Sequence, residues 1–212
     1  MARPVQEPAR TLPRLYVLVA APGGAAGGEE AATALRSAGE TLDIAAVLLR
    51  PEAGADDKPS NRLRPLVAAS HAIGAACLIE ANTALALALE ADGAHLDGPV
   101  ALKGALAALR PNGIAGAGGL RTKHDAMTAA EAGADYVMFG EPDAQGRRPP
   151  FETTLERTDW WVQLFEPPCV AYAGALDEVL ALAIAGADFI AIEHTLLAER
   201  AALAEALAGA SA

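Results

Sequence analysis

The sequence predicts a single-domain (β/α)8 barrel. Three observations carry this reading: eight short apolar runs punctuate the chain, helix-compatible stretches alternate with them, and one phrase occurs three times. The phrase reads "LALEADGAHLDGP" around Asp92, "AEAGADYVMFGEP" around Asp135 and "LAIAGADFIAIEH" around Asp188. Each copy is an Ala-rich helix end, then Ala-Asp, then an apolar run that stops at a polar or glycine-rich corner. A recurring helix-to-strand junction is the mark of repeated α/β units. A doubly wound open sheet shares the same count of elements and is the alternative.

The first strand is Leu15–Val19, followed by the helix "GEEAATALRSAG". Ile44–Leu49 and "NRLRPLVAASHAIG" come next, then Ala76–Ile79 with "NTALALALEA" and Ala94–Leu96 with "ALKGALAALR". The second half repeats the alternation. Ile114–Gly116 leads into "RTKHDAMTAAEAG", Tyr136–Phe139 into "LERTDWWVQLF", Cys169–Ala173 into "LDEVLALAIAG", and Phe189–Ile192 into "TLLAERAALAEALAGA". The strand runs are short and continuously apolar, as parallel strands covered on both faces must be. Gly133 and Gly186 stand where a helix should stop in the left-handed conformation, whereas Glu90 takes that place in the first copy of the phrase.

With 212 residues and 52% hydrophobic content, the chain can bury one sizeable core. A net charge of −11 opposes a nucleic-acid-binding surface, which needs a basic stripe. No apolar run reaches the roughly 18 residues of a membrane span. Arg3, Arg10 and Arg14 before "LYVLVAAPGGAAGG" resemble a secretory signal, yet cleavage there would delete the first strand. The expectation is a cytoplasmic chain with a disordered leader over residues 1–12 and the barrel over 13–212. Cys77 and Cys169, both in apolar runs, are expected to be buried reduced thiols.

In such a barrel the chemistry sits at the C-terminal ends of the strands. That rule collects Arg50, Glu80, Asn82, His95, Asp97, the corner Gly116–Arg121, Glu141, Gly174, Glu193 and His194. "GAGGLRTKHD" (Gly116–Asp125) runs into a helix, where free N–H groups of Gly118 and Gly119 with the Arg121 guanidinium suit a phosphate. A tight turn beside a solvated arginine explains the same residues, and both readings stay open. "YAGAL" around Gly174 is a second such corner.

Most of the chain resembles the thiamine-phosphate synthase (thiamine-phosphate pyrophosphorylase) family, including its thiazole tautomerase branch. The resemblance runs in order through "LYVLVA", "AVLLR", "ALALEADGAHLDG", "AAEAGADYVMFG", "PPCVAYAGAL" and "AIAGADFIAI". It implies a TIM barrel that joins a pyrimidine diphosphate to a thiazole phosphate with the help of Mg²⁺. The family's functional positions, however, hold other residues here. Its Gln-x-Arg-x-Lys falls on Leu48, Arg50 and Glu52, and its Asn-Asp, with the first magnesium aspartate, on Glu80 and Ala81. The second magnesium aspartate falls on Val100, and the Ser-x-His after strand 5 on Gly119 and Arg121. The strand 6 lysine has no clear counterpart, although Arg147 or Arg148 is close to its place. Gly174 matches the second glycine of the family's phosphate-binding pair, and the serine after strand 8 is replaced by His194, which follows Glu193.

These departures make synthase activity doubtful and leave two alternatives. One is a barrel that binds a phosphorylated heterocycle, catalytically inactive or regulatory. The other is a thiazole isomerase in which His194 and Glu193 act as acid and base. Magnesium is implied only by the resemblance, with Glu80 and Asp97 as a possible displaced pair of ligands. A homo-oligomer is possible.

Overall fold

The computed structural model describes residues 12–20, 24–51 and 59–211. The expected leader lies outside the described residues, Leu12 excepted. Strands β1 (Arg14–Ala20), β2 (Ile44–Arg50), β3 (Ala76–Glu80), β4 (Gly93–Asp97), β5 (Ile114–Gly118), β6 (Tyr136–Phe139), β7 (Cys169–Tyr172) and β8 (Phe189–Glu193) alternate with helices. These are α1 (Gly24–Gly39), α2 (Pro59–Ala72), α3 (Thr83–Ala88), α4 (Gly98–Leu109), α5 (Lys123–Ala132), α6 (Phe151–Leu164), α7 (Leu176–Ile184) and α8 (Arg200–Ala208). A 3-10 segment, His194–Glu199, leads into α8.

The strands close in chain order into one parallel barrel. The decisive pairing is β1 with β8, in register from Arg14 opposite Phe189 to Leu18 opposite Glu193. An open sheet would leave that edge unpaired, so the barrel is the fold.

Each face of a strand has its own partner layer. Val17, Val19, Val47, Leu49, Ile79 and Val137 pack outward against the helices and are at most 1% exposed. Tyr16, Leu18, Leu48, Leu78, Tyr136 and Met138 point inward and fill the barrel. This alternation is what turns near-continuously apolar strands into two cores. Cys77 and Cys169 are both buried and unbonded, and burial pushes the Cys77 thiol up to about 12.

The repeated Ala-Asp acquires a physical meaning at the N-terminal ends of the strands. Asp92 accepts a hydrogen bond from the Cys77 N–H at 2.7 Å, Asp135 from Ala115 at 2.7 Å, and Asp188 from Cys169 at 2.7 Å. In return the N–H groups of Asp92, Asp135 and Asp188 donate to the carbonyls of Cys77, Ala115 and Cys169. Each aspartate thus clamps the start of a strand neighbouring its own, satisfying an N–H that the parallel ladder leaves over. The helix ends before them follow the same plan. Gly133 and Gly186 take φ of +99° and +92°, and Glu90 in the equivalent place takes φ of +57° despite its side chain.

Candidate functional site

Five strands end on residues singled out from the sequence: Arg50 closes β2, Glu80 β3, Asp97 β4, Gly118 β5 and Glu193 β8. Arg50 is the hub. Its Nε lies 2.9 Å from Glu80 Oε1, its Nη1 3.8 Å from Glu193 Oε1, and its Nη2 donates to the Pro142 carbonyl at 3.2 Å. One guanidinium therefore ties together β2, β3, β8 and the loop after β6.

Beside this hub opens a cavity of about 540 Å³ at the C-terminal end of the barrel. Its wall includes Arg50, Glu80, His95, Asp97, Arg121 and Glu141. Glu141 follows β6 directly after Gly140, and its Oε1 accepts the Gly119 N–H at 2.5 Å. Burial pushes its carboxyl up to about 7, partly countered by the Gly119 N–H and by Arg50. Burial also raises the Glu80 carboxyl; Arg50 opposes the rise, while Asp97 and Glu193 add to it.

His95, 3% exposed, contacts the Tyr136 hydroxyl through Nδ1 at 2.8 Å, and Tyr136 contacts the Tyr16 hydroxyl at 2.7 Å. Burial, reinforced by the positive charge of Arg50, lowers the imidazole to about 3, so His95 is neutral at ordinary pH. Gly118 permits the convergence of these groups. A Cβ at this position would run into His95 Nε2 and would lie 2.5 Å from Glu141 Oε1. Gly119, at φ +61°, lies so close to Asp97 that a Cβ would overlap its carboxylate.

The glycine-rich corner is thus used differently from the anion cradle suggested by the sequence. The Gly119 N–H is given to Glu141. Helix α5 begins at Lys123, so Arg121 precedes it rather than lying in its first turn. The helix end itself is closed by a capping box, with the Asp125 N–H donating to Thr122 Oγ1 at 3.1 Å and the Thr122 N–H to Asp125 Oδ2 at 2.8 Å. Arg121 still faces the cavity, and among the described residues no carboxylate pairs with its side chain.

The corner at Gly174 is also filled from within the chain. Its N–H donates to Glu178 Oε2 at 2.7 Å, while Arg148 grips the same carboxylate with two hydrogen bonds of 2.6 Å. A phosphate expected at Gly174 would have to displace this ion pair. Arg148 is therefore committed, and Arg147 pairs with Asp143 at 2.8 Å on the surface.

The Glu193–His194 pair is not assembled at the cavity wall. Glu193 faces Arg50 and accepts from the Tyr172 hydroxyl at 3.5 Å, while the buried His194 Nδ1 has no hydrogen-bond partner among the described residues. Asn82 is the N-cap of α3, its side chain accepting the Leu85 N–H at 2.9 Å. Glu80 and Asp97 both reach the cavity, but Glu80 is paired with Arg50. Among the described residues no cluster of three His, Cys, Asp or Glu side chains is placed to hold a metal ion. Glu178 and the Tyr16–Tyr136 pair have no motif in the sequence. Glu178 stands four residues after Gly174 on a predicted helix, which is the one hint that its carboxylate could reach back.

Comparison with known proteins completes the picture. The family model described as Thiamine monophosphate synthase matches residues 16–196. The chain is 39% identical to a thiamine-phosphate synthase of Erythrobacter litoralis over 71% of its own length and 74% of that protein. It is 34% identical to one from Rhodospirillum centenum over 76% of its length and 79% of that protein. Among solved structures, a thiamine phosphate pyrophosphorylase from Pyrococcus furiosus superposes with a TM-score of 0.70 at 21% identity, covering 93% of this chain and 96% of that one. A dihydropteroate synthase from Coxiella burnetii shares the barrel alone, with a TM-score of 0.68 at 11% identity over 95% and 94% of the two chains. Among the described residues no helix is long and apolar enough to cross a membrane. With the barrel and the family match in agreement, the chain belongs to the thiamine monophosphate synthase family.

Proposed function

We propose that the barrel binds a small phosphorylated heterocycle, of the thiazole phosphate type, in the cavity beside Arg50 and Arg121, and that its synthase activity is absent or very low. The observation that carries the second half is the character of the two family magnesium positions. Ala81 lines the cavity without a donor side chain, and Val100, on α4, is 86% exposed. Magnesium requires hard oxygen ligands in near-octahedral array. Glu80, one residue from the lost ligand, lies 2.9 Å from the Arg50 guanidinium, which balances its charge in the metal's place. The residues present do not fit the ion, and the departure of a diphosphate leaving group would lack its usual charge stabilisation. In this reading the protein works in the cytoplasm on a phosphorylated ligand, with neither nucleic acid nor membrane as partner.

Arg121 supports the binding half, as a cavity-facing guanidinium that no carboxylate among the described residues neutralises. Calorimetric titration with thiazole phosphate is the test. The parent protein should bind it, and Arg121→Ala should weaken binding by about tenfold, the scale of one charge-assisted contact. No binding at millimolar ligand, or unchanged affinity in the folded variant, contradicts the assignment.

A second reading, an isomerase, is favoured by the Glu141 carboxyl, which titrates near neutrality on the cavity wall. A group of that kind suits proton transfer better than diphosphate departure. Glu193 and His194 could enter this chemistry only by turning away from their present contacts.

A further inference from the structure

We propose that Glu141 is the residue that exchanges a proton with the bound ligand, and that His95, backed by Tyr136 and Tyr16, is its positioning residue. The inference rests on the reading that the cavity takes a phosphorylated heterocycle.

Position is the first argument. Glu141 is on the cavity wall, and its Oε1 is fixed by the Gly119 N–H at 2.5 Å rather than by a cation. Four of the other carboxylates at this end of the barrel have different commitments, and Asp97, on the same wall, is exposed rather than buried. Glu80 pairs with Arg50 at 2.9 Å, Glu178 with Arg148 at 2.6 Å, and Asp143 with Arg147 at 2.8 Å. Glu193 faces Arg50 and Tyr172. A carboxylate held by an arginine is a poor base, because the ion pair stabilises the deprotonated form.

The surroundings of Glu141 come from every side of the barrel end. Arg50 approaches from β2 and Glu80 from β3, His95 and Asp97 from β4, Tyr136 from β6 and Tyr16 from β1. Arg50 favours the ionised form and Asp97 opposes it, while burial opposes it most strongly. The balance leaves the carboxyl able to gain and lose a proton near neutral pH.

His95 serves a different purpose. An imidazole with its pKa lowered to about 3 cannot carry the proton as a cation at ordinary pH. Its Nδ1 is held by Tyr136, itself bound to Tyr16, and its Nε2 reaches the space above Gly118 that Glu141 Oε1 also borders. The buried chain of three side chains fixes a neutral ring dipole beside the reacting carboxyl.

The step balances without any further reagent. The Glu141 carboxylate removes a proton from a C–H or N–H acid of the heterocycle, and the pair of electrons from that bond stays in the ring. The carboxylic acid then delivers a proton to a second ring atom, or to the same atom. The products are a tautomer or an exchanged proton, with no change of oxidation level and no leaving group.

Nuclear magnetic resonance in D₂O tests this, following loss of the ring C–H signal of thiazole phosphate while calorimetry reports binding of the same probe. The parent should catalyse exchange with a rate that rises with pH through about 7. Glu141→Gln should slow it by roughly 100-fold or more while affinity stays within about threefold, and Glu141→Asp should keep part of the rate. His95→Gln should displace the pH profile rather than abolish exchange. Bound probe that does not exchange, or Glu141→Gln exchanging at the parent rate, overturns the inference and leaves the ligand assignment standing. Absence of binding overturns both.

Discussion

The two ends of the barrel use the same functional group in opposite ways. At the N-terminal end, Asp92, Asp135 and Asp188 each receive a strand N–H at 2.7 Å and return their own N–H to the same residue. At the C-terminal end, Glu80 and Glu193 face Arg50 while Asp97 and Glu141 share the cavity wall beside it, and burial raises the carboxyls of Glu80 and Glu141. A carboxylate that receives a dedicated N–H and lies near solvent is a fastener. At the other end burial outweighs the available partners of Glu141 and pushes its carboxyl up to about 7, and that end is where chemistry can occur. The β7–α7 corner is the exception that sharpens the contrast, since Glu178 belongs to the upper end yet is fastened like the lower aspartates.

The largest expected effect breaks that exception. Glu178→Ala would strand the Arg148 guanidinium and remove the partner of the Gly174 N–H, costing about 2–3 kcal/mol, less than a fully buried pair because Arg148 is 35% exposed. The urea midpoint should fall with an unchanged slope. A midpoint equal to that of the parent would show that the corner is held by packing alone.

Asp135→Ala comes next, since it leaves the Ala115 N–H without its acceptor and frees Arg110 from a 3.0 Å pairing. A loss of about 1–2 kcal/mol is expected in the same denaturation experiment. A midpoint equal to that of the parent would show that the aspartate does not hold the start of β5.

A third effect depends on pH and has the opposite sign. Glu141 has a folded-state pKa raised from 4.5 to about 7, so its neutral form is favoured by folding. The stability it contributes is complete below about 4.5 and is lost as pH rises through about 7. Glu141→Gln, permanently neutral, should therefore be more stable than the parent at pH 8, by up to about 3 kcal/mol less whatever solvent screens at this half-buried side chain. The gap should close as pH falls below the unfolded value. Thermal melts across that range measure it, and a variant less stable than the parent at pH 8 would contradict the assigned environment.

Much of this architecture was legible in the sequence because it is local. Strand positions follow from short apolar runs, and the observed strands differ from the expected ones only at their ends, as where β2 extends to Arg50 and β3 to Glu80. The site was legible as a set of residues but not as a set of partners. Arg50, Glu80, Asp97 and Glu141 could be placed at strand ends, yet nothing local says that Arg50 meets Glu80 rather than a phosphate. The glycines misled for the same reason. Gly119 and Gly174 read as open anion corners, and only the folded chain brings Glu141 and Glu178 to their N–H groups. The replacements at Ala81 and Val100 needed no structure to be seen, but the pairing of Glu80 with Arg50, which disfavours a neighbouring substitute ligand, did.

The central proposal is that this barrel does not run the magnesium-dependent condensation. Steady-state turnover of the pyrimidine diphosphate and thiazole phosphate, with and without Mg²⁺, tests it most directly. The account predicts thiamine phosphate formation at or near the uncatalysed background, with no increase on adding Mg²⁺. Family-level turnover that requires Mg²⁺ would contradict it, because the ion would then have found ligands where Ala81 and Val100 stand.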